Sequence, residues 1–260
     1  MTGDSLWQEA GELDRAGRAF CLVTVAETSG SVPRRAGAAM LVRDDGSTIG
    51  TIGGASIERT CAEVALEVIA SGKPVLRKYS LNDVEGKETG SICGGSVTIL
   101  FHPRPARRIL HLFGAGHVAR PTAHLAAMAG YSVIVYEEKE EYADRESFPD
   151  AMSIRVGDPV RSAEKATFSE RDAVIIMTGS HKVDFEILKA LKDRKVAYLG
   201  VIASRKKAVH MRKELKAAGW TEAAIDAVHA PIGLDIPART PGEIAISIAA
   251  ELITVRGPVE

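Results

Sequence analysis

The stretch Ile109-Leu110-His111-Leu112-Phe113-Gly114-Ala115-Gly116-His117-Val118-Ala119, followed after a helical segment by Ser132-Val133-Ile134-Val135-Tyr136-Glu137, decides how the C-terminal part of the chain folds. An apolar run, a glycine turn, a helix, a second apolar run and a closing acid are the parts of a βαβ unit that binds a dinucleotide, in the required order. Glu137 follows Gly114 by 23 residues, which matches the separation between turn and acid. Gly114 permits the tight turn off the strand, Gly116 lets backbone amides approach a pyrophosphate, and Ala119 is small enough for a helix to pack on the strand. The helix start, with the amides of His117 and Val118, presents unpaired N–H groups and a positive dipole end to a phosphate. Glu137 could accept hydrogen bonds from a ribose diol. An acid there disfavours a 2′-phosphate, while Lys139 nearby keeps both nicotinamide dinucleotides open.

Downstream of this unit the pattern predicts strands near 152–156, 173–177 and 196–202, with helices over 183–193, 204–218 and 240–255. Alternation of near-continuous apolar strands with helices specifies a Rossmann-like, doubly wound parallel sheet covered on both faces, with ligands at the carboxyl ends of its strands. Upstream, a helix over 4–16 and another over 56–70 accompany strands at 19–28, 38–42, 47–51, 75–81 and 96–101. Asp44-Asp45-Gly46 between two of them is a hairpin signal. This half reads as a smaller α+β domain with an antiparallel or mixed sheet. Between the halves, residues 102–108 carry two prolines and a basic cluster, so a linker is expected there. The chain is therefore read as an α+β domain over 1–103 and a Rossmann-like domain over 104–260.

Composition narrows the functional class. The 260 residues are 45 % hydrophobic, enough for two ordinary cores. Thirty-three basic residues balance thirty-four acidic ones, so no global field recruits nucleic acid or an anionic membrane. The N-terminus lacks the blocks of a signal peptide and no apolar run approaches a bilayer span, which predicts a cytoplasmic protein. Three widely spaced cysteines, Cys21, Cys61 and Cys93, fit a reducing compartment. A homodimer is the commonest soluble assembly and is expected on that ground alone.

Three glycine-punctuated loops stand out in the N-terminal half: 29–35 with Arg34 and Arg35, 50–56 with Gly53 and Gly54, and 90–95 with Cys93, Gly94 and Gly95. Each adjoins a strand, so they are expected to converge on one end of the sheet. Gly53-Gly54 runs into a helix and offers amides to an anion, with Arg34 supplying charge. Cys93, between Ile92 and two glycines, could ligate a soft metal or carry sulfur. Cys21 and Cys61 read as core. In the C-terminal half, His181 and Asp184 follow the strand ending at Met177 and could transfer protons, or Ser180 and Asp184 could simply cap the helix. Ser204 caps a helix with a basic first turn, beginning at Arg205, and that favours an anion nearby.

Together, Thr28-Ser-Gly-Ser-Val-Pro-Arg-Arg35, Gly53-Gly54 with Glu58, Cys93-Gly94-Gly95, Phe113-Gly-Ala-Gly-His-Val-Ala119, residues 200–207, Ala230-Pro-Ile-Gly-Leu-Asp-Ile236 and Arg239-Thr-Pro-Gly-Glu-Ile-Ala245 resemble the XdhC/CoxI family of xanthine dehydrogenase accessory factors. The resemblance implies a chaperone more than a catalyst. Such a protein binds the molybdenum cofactor (molybdopterin, with or without a nucleotide), protects it while a cysteine desulfurase supports exchange of an oxo for a sulfido ligand, and delivers it to an apo molybdenum hydroxylase. It also implies cofactor contacts at Arg34, the paired glycines, Cys93 and the fingerprint, and extends them to Ser204, Arg205, Asp235 and Arg239. Two positions depart from the family pattern: Ala55 stands where a cysteine is common, and Gly179-Ser180 where residues like Thr-His-Asp are common. The residues alone leave two other classes open, an NAD(P)-dependent oxidoreductase using His181 or His117 as acid or base, and a nucleotide-sensing regulatory subunit.

Overall fold

A computed structural model describes residues 3–80 and 95–256. The chain divides into two compact units, residues 1–107 and 108–260.

In the first unit, α1 (Gly3–Arg15) leads into β1 (Phe20–Ser29), β2 (Ala39–Arg43), β3 (Thr48–Gly50), α2 (Ala55–Ser71), β4 (Val75–Ser80) and β5 (Ser96–Arg104). The strands form one antiparallel sheet in the order β3-β2-β1-β5-β4. The expected hairpin joins β2 to β3: the Asp45 carboxylate accepts from the Ser47 amide, and Gly46 takes φ +81°. Val23, Val25, Met40, Val42, Ile99 and Phe101 project from one face onto Ile57, Cys61, Ala65 and Val68 of α2. Such alternation is what a half-covered antiparallel sheet requires.

One expectation about the linker fails at its start, because β5 runs on through Pro103 to Arg104, with Pro103 opposite Cys21. The reason is local. β4 pairs with β5 only as far as Phe101, so beyond it β5 is an edge, where a missing N–H costs the ladder nothing.

The second unit contains β6 (Ile109–Phe113), α3 (Ala119–Met128), β7 (Ser132–Glu137), β8 (Ser153–Val156), α4 (Pro159–Lys165), β9 (Ala173–Ile176), α5 (His181–Ala190), β10 (Tyr198–Val201), α6 (Arg205–Ala217), α7 (Glu222–Asp226), β11 (Val228–His229) and α8 (Pro241–Arg256). All six strands are parallel, in the order β11-β10-β9-β6-β7-β8. Counted from β6 this is the 3-2-1-4-5-6 order of dinucleotide-binding folds, and its switch point falls between β6 and β9. Leu110 and Leu112 point to the face covered by α3 and α8, and Phe113 to the face covered by α4, α5 and α6. The predicted doubly wound sheet is thus present.

The start of the sheet is pinned by a buried acid that the sequence pattern did not single out. Asp172, 4 % exposed, accepts from the amides of Ile109 (3.0 Å) and Ser169 (2.8 Å) and faces His111 Nε2 at 3.7 Å, while His111 Nδ1 meets the Tyr136 hydroxyl at 2.9 Å. Burial pushes the Asp172 carboxyl up, but His111 and the Ser169 and Ile109 amides outweigh it and hold the group below the usual carboxylate value. The unfolded chain therefore binds this proton more readily than the native one. The stability Asp172 contributes is complete above its unfolded value and is lost as pH falls through the lowered native one. Asp172→Ala leaves the partly buried Ile109 and Ser169 amides without their acceptor and should cost about 1–3 kcal/mol. Urea melts of the variant should also lose part of the wild type's acid sensitivity.

Candidate functional site

In the first unit the 29–35 loop meets Gly53 of the second glycine loop and Gly95, the one described residue of the third. Ser29 at the end of β1 lies opposite Ser96 at the start of β5, and β3 ends at the same edge. A Cβ on Gly95 would stand 2.3 Å from the Ser31 carbonyl and 2.7 Å from that of Ser29, so only glycine permits this approach. Gly53 is held against Pro33 and Ile57, with a Cβ there 3.1 and 3.2 Å from their side chains. Gly54 is the N-cap of α2 in extended conformation, with open space where a side chain would lie. Glu58, one turn into α2, reaches back to accept from the Thr51 hydroxyl (2.5 Å) and the Ile52 amide (3.3 Å), which fixes the entry to the helix. Arg34 and Arg35 are exposed and make no ion pair among the described residues. The expected Cys93 and Gly94 lie outside the described residues, two and one positions before Gly95.

Cys21 and Cys61 are fully buried, and burial pushes both thiols up to about 12. Thiolate is the reactive form, so neither should alkylate in the native protein at neutral pH. We expect at most one reactive thiol under native conditions and none in Cys93→Ser. A native titre above one, or one that survives this substitution, would contradict the assignment.

In the second unit the fingerprint turn crosses the end of β9. Gly114 has φ +108°, and a Cβ on it would lie 2.3 Å from the Met177 carbonyl oxygen. Its glycine is required by the crossing strand rather than by a ligand. Gly116, by contrast, faces open space. Among the described residues, the amides of Gly116, His117 and Val118 find no acceptor, and His117 is exposed beside the start of α3. That is the donor set an anion at a helix N-terminus uses.

Glu137 stands at the expected strand end, but its carboxylate is engaged: Oε2 accepts from the Ala115 amide at 2.9 Å and Oε1 from the Lys139 amide at 3.1 Å. A ribose diol would have to share it. The hollow between Gly114, Glu137, Thr178 and Ser180 measures only ≈ 70 Å³, small against the several hundred Å³ of a typical ligand cleft. A larger cavity of ≈ 390 Å³ lies further along the sheet edge, lined among others by Ile202, Ala203, Arg205, Ile232, Leu234 and Asp235. Arg205 and Asp235, both predicted site residues, pair with each other there at 3.0 Å. Ser204 caps α6 through the Lys207 amide at 3.3 Å. Arg239 is exposed, and its amide joins that of Thr240 on the Glu243 carboxylate, closing the cap of α8.

Glu251, which sequence reasoning missed, anchors the loop beneath this cavity. It accepts from the Tyr198 hydroxyl and from the Gly233 amide (2.8 Å), and meets His229 Nδ1 at 3.1 Å. An acid on the inner side of α8 was the one available signal.

His181 and Asp184 are not brought together as a proton-transfer pair by any hydrogen bond. Asp184, 6 % exposed, accepts from the Thr178 hydroxyl (2.6 Å) and amide (3.1 Å), fastening the turn after β9. Burial raises its carboxyl above the usual value, against the pull of those two bonds and of His181 and Lys207. Ser180 caps α5 through the Val183 amide. His181 Nε2 instead faces Glu214 at 3.2 Å.

These features define a two-unit α/β protein: a Rossmann-type domain and a smaller domain built on an antiparallel sheet. Residues 110–252 match the XdhC Rossmann domain and residues 13–80 the XdhC and CoxI family. The chain belongs to the XdhC and CoxI family. It is 34 % identical over 97 % of its length to the Escherichia coli protein YqeB, covering 46 % of that protein. It is 24 % identical to the Escherichia coli molybdenum cofactor insertion chaperone PaoD over 93 % of this chain and 85 % of that one. A Bacillus subtilis protein named as a probable xanthine dehydrogenase component is 32 % identical over 59 % of this chain and 44 % of its own. The chain thus spans just under half the length of two of these three relatives. A crystal structure described as a xanthine dehydrogenase from Bacillus halodurans shares the fold, with TM-score 0.54 and 22 % identity over 95 % of this chain and 94 % of that one. Among the described residues no helix is long and apolar enough to cross a membrane.

Proposed function

We propose that this protein is an accessory factor that binds the molybdenum cofactor as cargo, shields it while a cysteine desulfurase supplies sulfur, and hands it to a xanthine dehydrogenase-type hydroxylase. The observation that carries the reading is the meeting of the 29–35, 50–54 and Gly95 segments at one sheet edge, in a chain of this family. Arg34 and Arg35, exposed and without an ion pair among the described residues, suit a phosphate near the glycine N-cap of α2, and open space over Gly54 leaves room for it. In this reading Gly53, Gly54 and Gly95 let the cargo approach the backbone, Arg34 holds its phosphate, and Cys93 and Gly94, outside the described residues, keep the role the family resemblance implies, with the Cys93 sulfur serving the labile centre. The name of the PaoD relative, a molybdenum cofactor insertion chaperone, supports the same assignment.

The amides of Gly116, His117 and Val118, without an acceptor among the described residues, favour a separate phosphate site within the Rossmann unit, fit for a nucleotide such as NAD(P). An oxidoreductase has less to support it, because Glu137 is already engaged and His181 faces Glu214.

The test is anaerobic incubation with cofactor released from a molybdoenzyme, then gel filtration and detection of oxidised pterin fluorescence, with NAD and NADP titrated in parallel. Pterin co-eluting with the protein is the expected result. Nicotinamide binding without pterin would move the protein to the oxidoreductase class. The elution volume also reads the expected homodimer.

A further inference from the structure

Where α5 and α6 pack beside each other, three side chains of the second unit converge without any role in the reading above. His181 stands at the first position of α5, and His210 and Glu214 lie one turn apart on α6. Their ligand atoms all lie within 4.8 Å of one another. His181 Nε2 is 3.2 Å from Glu214 Oε2, and His210 Nε2 is 3.7 Å from Glu214 Oε1. The two imidazole rings are tilted at 45° with centroids 5.9 Å apart.

The closest contact is not a hydrogen bond. His181 Nε2 and Glu214 Oε2 are both buried atoms, and neither has a hydrogen-bond partner, although they face each other at 3.2 Å. An orphaned pair at that distance is costly if nothing lies between them. Two donors aimed at a common third point do not aim at each other, and that is the arrangement of metal ligands. Bonds of about 2.0–2.2 Å to a tetrahedral zinc put neighbouring ligand atoms roughly 3.3 Å apart. The 3.2 Å from His181 to Oε2 is close to that edge, His210 lies 3.7 Å from the other oxygen, Oε1, and a small inward turn of the exposed His210 side chain closes the remaining spread of up to 4.8 Å. His210 and Glu214, four apart on α6, share one helix face, while the Ser180 cap holds His181 at the start of α5.

We propose that His181, His210 and Glu214 bind one divalent transition-metal ion, Zn²⁺ foremost, with a fourth position open to solvent. Two imidazoles and a carboxylate are a donor set that zinc and its borderline neighbours accept, and magnesium or calcium would not choose it. Glu214 supplies negative charge and the imidazoles bind as neutral ligands. The ion would staple α5 to α6. The inference stands independently of the cofactor reading.

Cobalt is the probe, since its visible spectrum reports the ligand type. The full-length protein, stripped of metal by a chelator and kept reduced, is titrated with Co²⁺. The expected result is one equivalent bound, with ligand-field bands and no intense thiolate charge-transfer band. His210→Asn removes an exposed side chain and Glu214→Gln keeps its shape. Each should weaken binding at least about 100-fold, beyond the ~10–100-fold that loss of an outer-shell partner costs. Lys213→Gln, an exposed position on the same helix, should bind cobalt like the wild type. Failure of the wild type to take up cobalt, equal affinity in the two ligand variants, or a thiolate spectrum would each overturn the site.

Discussion

Gly114→Val should unfold the Rossmann unit, whereas Gly116→Val, two residues along the same turn, should leave it standing. The two glycines read alike in the fingerprint, yet they are glycine for different reasons. At Gly114 the backbone adopts φ +108°, a region that costs a side chain about 1–3 kcal/mol, and a Cβ would press on the Met177 carbonyl at 2.3 Å. That carbonyl belongs to the chain leaving β9, the sheet's neighbour at the switch point, so neither side can yield without separating β6 from β9. We expect a loss of about 4 kcal/mol or more, read as collapse of the urea midpoint. At Gly116 the same atom enters empty space, so the melt should move little. Its effect belongs to ligands: a valine side chain stands over the unpartnered amides of 116–118 and should abolish binding of any phosphate there. Wild-type stability in Gly114→Val would mean that the turn can be rebuilt around a side chain.

The same pair shows what was legible in the sequence. The βαβ order and the spacing to Glu137 could be read directly, because an apolar strand followed by a glycine turn and a helix has few other physical solutions. What the Glu137 carboxylate holds could not, since its acceptance of the Ala115 amide depends on a contact across the crevice. Helix α4 was missed although Asp158-Pro159 is a strong start, with Asp158 accepting from the Val160 and Arg161 amides. Its seven residues are too few for a periodic pattern to register. Pro103 was read as a break because a proline's effect on a strand depends on whether a neighbour reaches that far, which sequence does not state. The approach of the 29–35 loop to Gly53 and Gly95 followed from the adjacency of these segments to strands. By contrast, the juxtaposition of His181 with His210 and Glu214 arises from the packing of α5 beside α6 and has no sequence signal beyond the four-residue spacing on α6.

The largest effect on binding should come from Arg34→Glu combined with Arg35→Glu. Both side chains are exposed, and their reversal removes no ion pair among the described residues. A charge-assisted hydrogen bond to phosphate is worth about 1.5–3 kcal/mol, and its replacement by repulsion adds to that. The double variant should therefore bind released molybdenum cofactor at least about 100-fold more weakly, with an unchanged melt. Wild-type binding should weaken with added salt, and that dependence should flatten or reverse in the variant. Setting this variant beside Gly116→Val separates the two edges. Each edge is read by its own ligand: the arginine variant should lose the cofactor and keep any nucleotide affinity of the Rossmann unit, and Gly116→Val should do the reverse. Full cofactor binding by the arginine variant would remove the first edge from the site, and loss of the cofactor in Gly116→Val would move its phosphate to the start of α3.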